Sequence, residues 1–308
     1  MEVSQGSVRT RSISVPDQSS TVLAELDELR AGSGKASALY ALSALEGTKV
    51  QLASPALRKV GTAGLMCDSK YTKQNKGHAV SGQIAFIGQT HAMAGVTMNA
   101  SQKREVLRSQ FDVYQELQRK QAKHVFGEGA TAEVCWYCES IISGNAGRAT
   151  SATPVLSGTQ LTTMRDRLDR VARALKESNG DFGKFERSLA SLGGAEADLF
   201  MSVGGAFTYV VANRNQEGTR PRLYVSCSDA YETKRRQFGE VRLVNGVLDE
   251  PSRRLVFDDR ERDIADQVKR NLPGIDKCES VFVVMGRMHS LHHEFTGPAA
   301  PAYYQLKT

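Results

Sequence analysis

Apolar residues along this chain recur at two spacings, and the spacing changes with position. Val22, Leu23, Leu26 and Leu29 return at helical intervals until Gly32-Ser33-Gly34 stops them, and Lys35 to Leu45 reads as a second, Ala/Leu-rich helix. Ile84-Ala85-Phe86-Ile87 is a continuous apolar run with glycine-rich flanks, the pattern of a short buried strand. Ser101 is placed to cap a helix reaching about Lys123, in which Leu107, Phe111, Tyr114 and Leu117 share one face. A further helix is predicted from Thr159 to Ser178, with Leu161, Met164, Leu168, Val171 and Leu175 on one side and Asn179-Gly180 ending it.

Beyond that point the texture changes. A short helix is predicted from Phe182 to Leu192, and strands at 206–212, 222–227 and 281–286. Asn245-Gly246 signals a turn after Val241 to Val244, with Arg254 to Phe257 as the return strand. Asp259 to Leu272 reads as a charged helix with Ile264, Val268 and Leu272 facing inward. Helices and strands mixed in this way predict an α/β or α+β protein, with a helical N-terminal half and a mixed sheet with flanking helices in the C-terminal half. The expected division is a Ser-rich, unstructured leader over 1–20, a mainly helical region over 21–178, and an α/β region over 179–308.

Composition narrows the class. With 308 residues, 40% hydrophobic and 24% charged, the chain is long enough to bury a sizeable core. The net charge of +6 permits contact with nucleic acid without demanding it. Five cysteines are an odd and sparse set, which points to a cytoplasmic-type reducing environment rather than a disulfide framework. No apolar window of about 20 residues predicts a membrane span. The N-terminus lacks the apolar core of a secretory signal. Its Ser-rich leader resembles those of bacterial secretion machines, which implies a secreted effector or toxin reaching a host cell without a classical signal peptide.

Candidate chemistry gathers in two places. Ala132 to Ile142 holds the single Trp, Trp136, and the C-x-x-C pair Cys135 and Cys138. Two thiolates at that spacing supply half of a tetrahedral zinc site; one thiol near a helix start can instead act as a nucleophile. The same residues also suit plain core packing. The second place is Gly286-Arg287-Met288-His289-Ser290-Leu291-His292-His293-Glu294, where His289 and His292 are spaced i, i+3 and His292 to Glu294 spells H-x-E. Two weaker candidates are wall segments: the charge-free, glycine-rich stretch from Gly77 to Gln102 could line a pocket, and the Gly/Ala/Ser/Thr-rich region 129–164 reads as a functional loop or pocket wall. Gly32-Ser33-Gly34-Lys35-Ala36 fails as a phosphate loop, because Leu29 and Ala36 stand where Gly and Ser or Thr are required.

Cys-Trp-Tyr-Cys followed by Glu-Ser-Ile-Ile resembles the second half of the zinc nucleobase-deaminase signature, H-x-E…P-C-x-x-C. Val134 stands at the position of the proline, and the H-x-E lies downstream, so the resemblance implies a permuted order. It implies zinc bound by Cys135, Cys138 and His292, with Glu294 shuttling the proton from metal-bound water to a nucleobase or nucleic-acid substrate. An alternative enzyme needs no metal: Cys138 would be the nucleophile and His289 its base, by analogy with proteases and acyl transferases. A third reading is a basic nucleic-acid-binding or structural protein.

Overall fold

The computed structural model describes residue 65 and residues 68–90, 98–145, 157–216, 220–238, 243–244, 247–297 and 299–306. The expected leader and the two helices predicted between Thr21 and Leu45 lie outside the described residues.

The mixed α/β class is borne out. A six-stranded sheet runs in the order β1-β8-β2-β7-β3-β4, with β1 Tyr71–Lys73, β2 His78–Gln89, β3 His124–Gly127, β4 Arg222–Tyr224, β7 Ser280–Gly286 and β8 Pro301–Leu306. Only the β1–β8 pair is antiparallel. The strands come from both sides of residue 178, so one sheet joins the regions that the sequence pattern separates. Strand β2, from the first region, lies between β7 and β8 from the second.

A parallel sheet must be covered on both faces, and the strand sequences show this. Ala85, Ile87, Val125, Phe282, Val284, Ala302 and Tyr304 enter the core on one face. Ile84, Phe86, Phe126, Val281, Val283, Met285 and Tyr303 enter the core on the other. The first face carries α1 Ala100–Lys120, α2 Ala132–Ser143, α3 Gly158–Glu177, α4 Phe182–Leu192 and α5 Gly194–Ala212. The second carries α8 Arg260–Asn271, through Ile264, Ala265 and Val268. Between them in the chain lie α6 Asp229–Phe238, the two-residue strands β5 Leu243–Val244 and β6 Val247–Leu248, and α7 Glu250–Arg253.

The predicted amphipathic faces of α1 and α3 are the buried ones. The cap of α1 is Asn99, in a reciprocal capping box with Gln102, rather than Ser101. Two strand expectations are overturned. The segment 206–212 is the end of α5, a helix buried nearly all round against α1, α2, α3, α4 and β3; such a helix has no polar face, so its apolar run carries no helical period to read. The predicted strand 254–257 lies in a π-helical turn, Arg254–Asp259, and the return strand of the hairpin is β6, directly after Asn245-Gly246.

Helix α5 is broken once. Gly204 has φ 83° and ψ 167°, a conformation open in practice only to glycine, and a second helical segment starts at Gly205. Gly205 is fixed for a different reason. A Cβ there would lie 2.2 Å from the backbone oxygen of Gln110 on α1. The Gly205 N–H donates to Gln110 Oε1 at 2.7 Å, and Gln110 Nε2 donates to the Thr90 carbonyl at 2.9 Å. One buried amide thus ties α1, α5 and the exit of β2 together. Gly205→Ala is expected to cost about 1–3 kcal/mol or more, since the obstacle is backbone rather than a yielding side chain. Gly158→Ala, at a position with nothing within 4 Å, is the control. Urea denaturation of both checks this; equal stability of the two variants would contradict the packing argument.

At the opposite edge of the sheet, Glu279 accepts from Lys123 Nζ at 2.6 Å and contacts His124 Nε2 at 2.5 Å, while His124 Nδ1 meets Tyr224 Oη at 2.9 Å. The His124 hydrogen bond, then that of Lys123, outweigh burial and lower the Glu279 pKa from 4.5 to about 2. A carboxylate depressed on folding stabilises the protein above its unfolded pKa, and that contribution fades as pH falls from 4.5 to about 2. Glu279→Gln should therefore flatten the acid limb of a stability–pH curve in this window. An unchanged slope would show that the tie adds nothing.

Candidate ligand-binding cleft

The two clusters predicted from sequence lie in different layers. Cys135 and Cys138 sit in the first two turns of α2, whose N-cap Thr131 accepts from the Val134 N–H at 3.2 Å. Cys138 is fully buried, and burial, helped by Glu139, pushes its thiol well above the usual value, away from the thiolate a nucleophile or metal ligand needs. Cys135 is half-buried against the same core, as is Trp136, which meets the Tyr137 ring edge-on at 5.0 Å between centroids.

His289, His292 and Glu294 follow β7, on the other face. His289 is buried, its Nδ1 3.1 Å from Glu261 Oε1, with the Phe257 ring 5.1 Å away. Glu261 also accepts from the Ser290 N–H and lies 3.5 Å from His293 Nε2. His292 Nδ1 meets Ser290 Oγ at 2.6 Å, and Glu294 lies 3.8 Å from Lys269 Nζ. Leu291 and Phe295 of this segment belong to the second core, whereas Cys138 belongs to the first. The sheet stands between them because the chain leaves β3 onto one face and β7 onto the other. The structure therefore does not bring Cys135 and Cys138 to His292, nor Cys138 to His289. Among the described residues, no group of three His, Cys, Asp or Glu side chains is arranged to hold a metal ion.

That same divergence of exits opens a crevice at the carboxyl ends of the strands, where open α/β sheets bind ligands. A small, partly open cleft lies there. Its polar end is Gln89 at the end of β2, Gln110 of α1, and Gly127-Glu128-Gly129 at the end of β3. Its apolar wall includes Val134 of α2, Val203 and Phe207 of α5, and Leu223 of β4. The expectation that the charge-free stretch through Gln89 and the region from Gly129 form pocket walls agrees with this lining, although 132–143 is helix rather than loop.

Glu128 holds the crevice in shape. Its side chain is almost wholly buried; Oε2 accepts from the Gly286 N–H at 2.6 Å and from Gln89 Nε2 at 3.4 Å, and Oε1 lies 2.8 Å from an Arg260 guanidinium nitrogen. Burial opposes the Arg260 charge, but Glu128 and the other acidic groups around it outweigh that and raise its pKa. Behind the loop, Ser226 Oγ donates to the Gly127 carbonyl at 2.5 Å and the Ser226 N–H to the Ala130 carbonyl at 2.8 Å. Two helices start at this cleft: α2, directly after Thr131, and the second segment of α5, at Gly205. Each presents first-turn N–H groups that have no carbonyl within the helix itself, and the positive end of its dipole.

No protein-family profile, curated protein or solved structure matches the chain. Among the described residues no helix is long and apolar enough to cross a membrane.

The Glu128–Arg260 pair gives a direct test of the crevice. Arg260→Met leaves a buried carboxylate uncompensated and is expected to cost about 3–5 kcal/mol. Combining it with Glu128→Gln should recover a large part of that loss. A double-mutant cycle by urea denaturation measures this, and strictly additive losses would show that the pair is not coupled.

Proposed function

We propose that the chain binds a phosphorylated nucleoside in the cleft at the carboxyl edge of its sheet. The observation that carries this reading is the break in α5 at Gly204. It starts a new helix inside the cleft, so that two helix N-termini, of α2 and of the Gly205–Ala212 segment, serve one cavity. Two positive dipole ends at one place favour an anion such as phosphate. The apolar wall of Val134, Val203, Ala206, Phe207 and Leu223 suits a flat base, and the few polar groups at the other end suit a sugar. The arrangement binds and orients. This reading keeps the nucleobase-bearing ligand expected from sequence but sets it apart from Cys138 and His292.

The single tryptophan supplies the assay. Trp136 lies within the first turns of α2, next to the helix start that would meet the phosphate. Titration with AMP, ADP, ATP and UMP should give a saturable change in its fluorescence, and adenosine without phosphate a much weaker one. Unfolding should be opposed by about 2.7 kcal/mol at a ligand concentration of roughly 100 times Kd. Val203→Phe, which fills the mouth from the cleft lining, should abolish the response while leaving the unliganded melting curve near that of the parent. The reading is refuted if none of the four nucleotides changes either signal at millimolar concentration, or if Val203→Phe binds as the parent does.

A further inference from the structure

The sheet separates Cys135 and Cys138 from the histidines, yet the two cysteines remain a pair. They stand three residues apart in α2, so they are neighbours on one side of that helix. Both pack against the first core. Their exposures differ: Cys138 is fully buried, whereas Cys135 is half-buried. Both thiols are free.

Helical geometry fixes their separation. A rise of about 1.5 Å and a turn of about 100° per residue put the two Cα atoms about 5 Å apart. That lies inside the roughly 4.4–6.8 Å that a disulfide spans. The Cβ atoms of such a pair lie about 5–6 Å apart on a regular helix, and a disulfide brings them to about 3.8 Å. A local overwinding toward 3₁₀ geometry, in which residues i and i+3 eclipse, closes that gap. Helix starts are where such turns are frequent, and this pair sits in the first two turns. A bond that overwinds its helix is strained, and strained disulfides are readily reduced.

The two thiols divide the chemistry. Burial first, then Glu139 and Cys135 itself, hold the Cys138 thiol protonated, so an external disulfide reacts first at the more exposed Cys135. The Cys135 thiolate attacks one sulfur of the oxidant, the other leaves as a thiol, and a mixed disulfide stays on Cys135. Cys138 then gives up its proton, attacks the Cys135 sulfur and releases the second thiol. That step is intramolecular, which offsets the small fraction of Cys138 thiolate. The thiolate of a high-pKa thiol is also the stronger nucleophile. One disulfide bond breaks and one forms: the cysteines lose two electrons and two protons, and the oxidant departs as two thiols.

We infer that Cys135 and Cys138 form a reversible redox site, which closes an intrahelical disulfide by exchange with low-molecular-weight disulfides of the glutathione class.

Trypsin leaves both cysteines in one peptide, residues 124–148, so mass spectrometry after thiol blocking reads the site directly. The full chain is equilibrated in mixtures of reduced and oxidised glutathione, and circular dichroism checks that it stays folded. As the oxidised share rises, the peptide should lose two hydrogens and Trp136 fluorescence should change in step. Excess reduced glutathione should restore both. Cys138→Ala should instead trap a glutathione adduct on Cys135, and Cys135→Ser should leave Cys138 unmodified. The exposed Cys278 reports that the oxidant is active. The inference is overturned if Cys278 takes up glutathione while both thiols of the peptide stay free. It is equally overturned if Cys135 of the parent holds a lasting adduct that Cys138 does not displace, or if the disulfide appears only once the chain is unfolded in urea.

Discussion

Two helices on the same face of the sheet, α1 and α5, touch backbone to backbone where Gly205 meets Gln110, and the rest of that layer is spaced from this contact. With a side chain at 205 the helices would have to separate, and Tyr114 and Tyr209, whose rings meet edge-on at 6.0 Å, would lose their packing. The buried amide of Gln110 converts the contact into a three-way junction, because the loop leaving β2 hangs from its other end. Burying an amide is costly unless both ends are satisfied, and here its partners are two backbone groups that the break at Gly204 and the end of β2 would otherwise leave without them. The cleft is the space that this junction holds open on one side, as Glu128 holds it on the other.

Both supports use the exits of strands rather than the strands themselves. Glu128 leaves β3, Gly286 ends β7 and Gln89 ends β2, and the three are linked through one carboxylate. Arg260, at the head of α8, reaches in from the second helical layer. The π-helical turn just before it carries Phe257 against His289, and Glu261, just after it, binds the same imidazole. The histidine cluster therefore secures the placement of α8 from behind, which accounts for buried imidazole and carboxylate together without assigning them any chemistry.

Much of the architecture was legible in the sequence, because amphipathic helices such as α1 and α3 announce which side they bury and an apolar run such as 281–286 announces a strand covered on both faces. The misreading at 206–212 has a physical cause: a helix enclosed on all sides shows the same unbroken apolar run as a buried strand. The site was legible only in part. Cys135, Cys138 and His292 stand out by residue type, but type says nothing about which face a chain takes on leaving its strand, and the sheet separates them. The residues that line the cleft are inconspicuous: two glutamines, one glutamate and paired glycines. Gly127-Glu128-Gly129 after a short apolar run, and Gly204-Gly205 inside another, were the available signals. What they do depends on long-range partners, Gly286, Arg260 and Gln110, that no local pattern names.

The order of strands has a consequence for how this molecule comes to exist. Strand β2 is made early, yet both of its lateral neighbours, β7 and β8, come from the stretch Ser280–Leu306. Until that stretch has been synthesised, Ile84-Ala85-Phe86-Ile87 has two open edges, the condition under which strands pair with the wrong chain. The middle of the sheet is thus the last part to close, and a nascent chain stalled before residue 280 would carry its most adhesive segment unprotected.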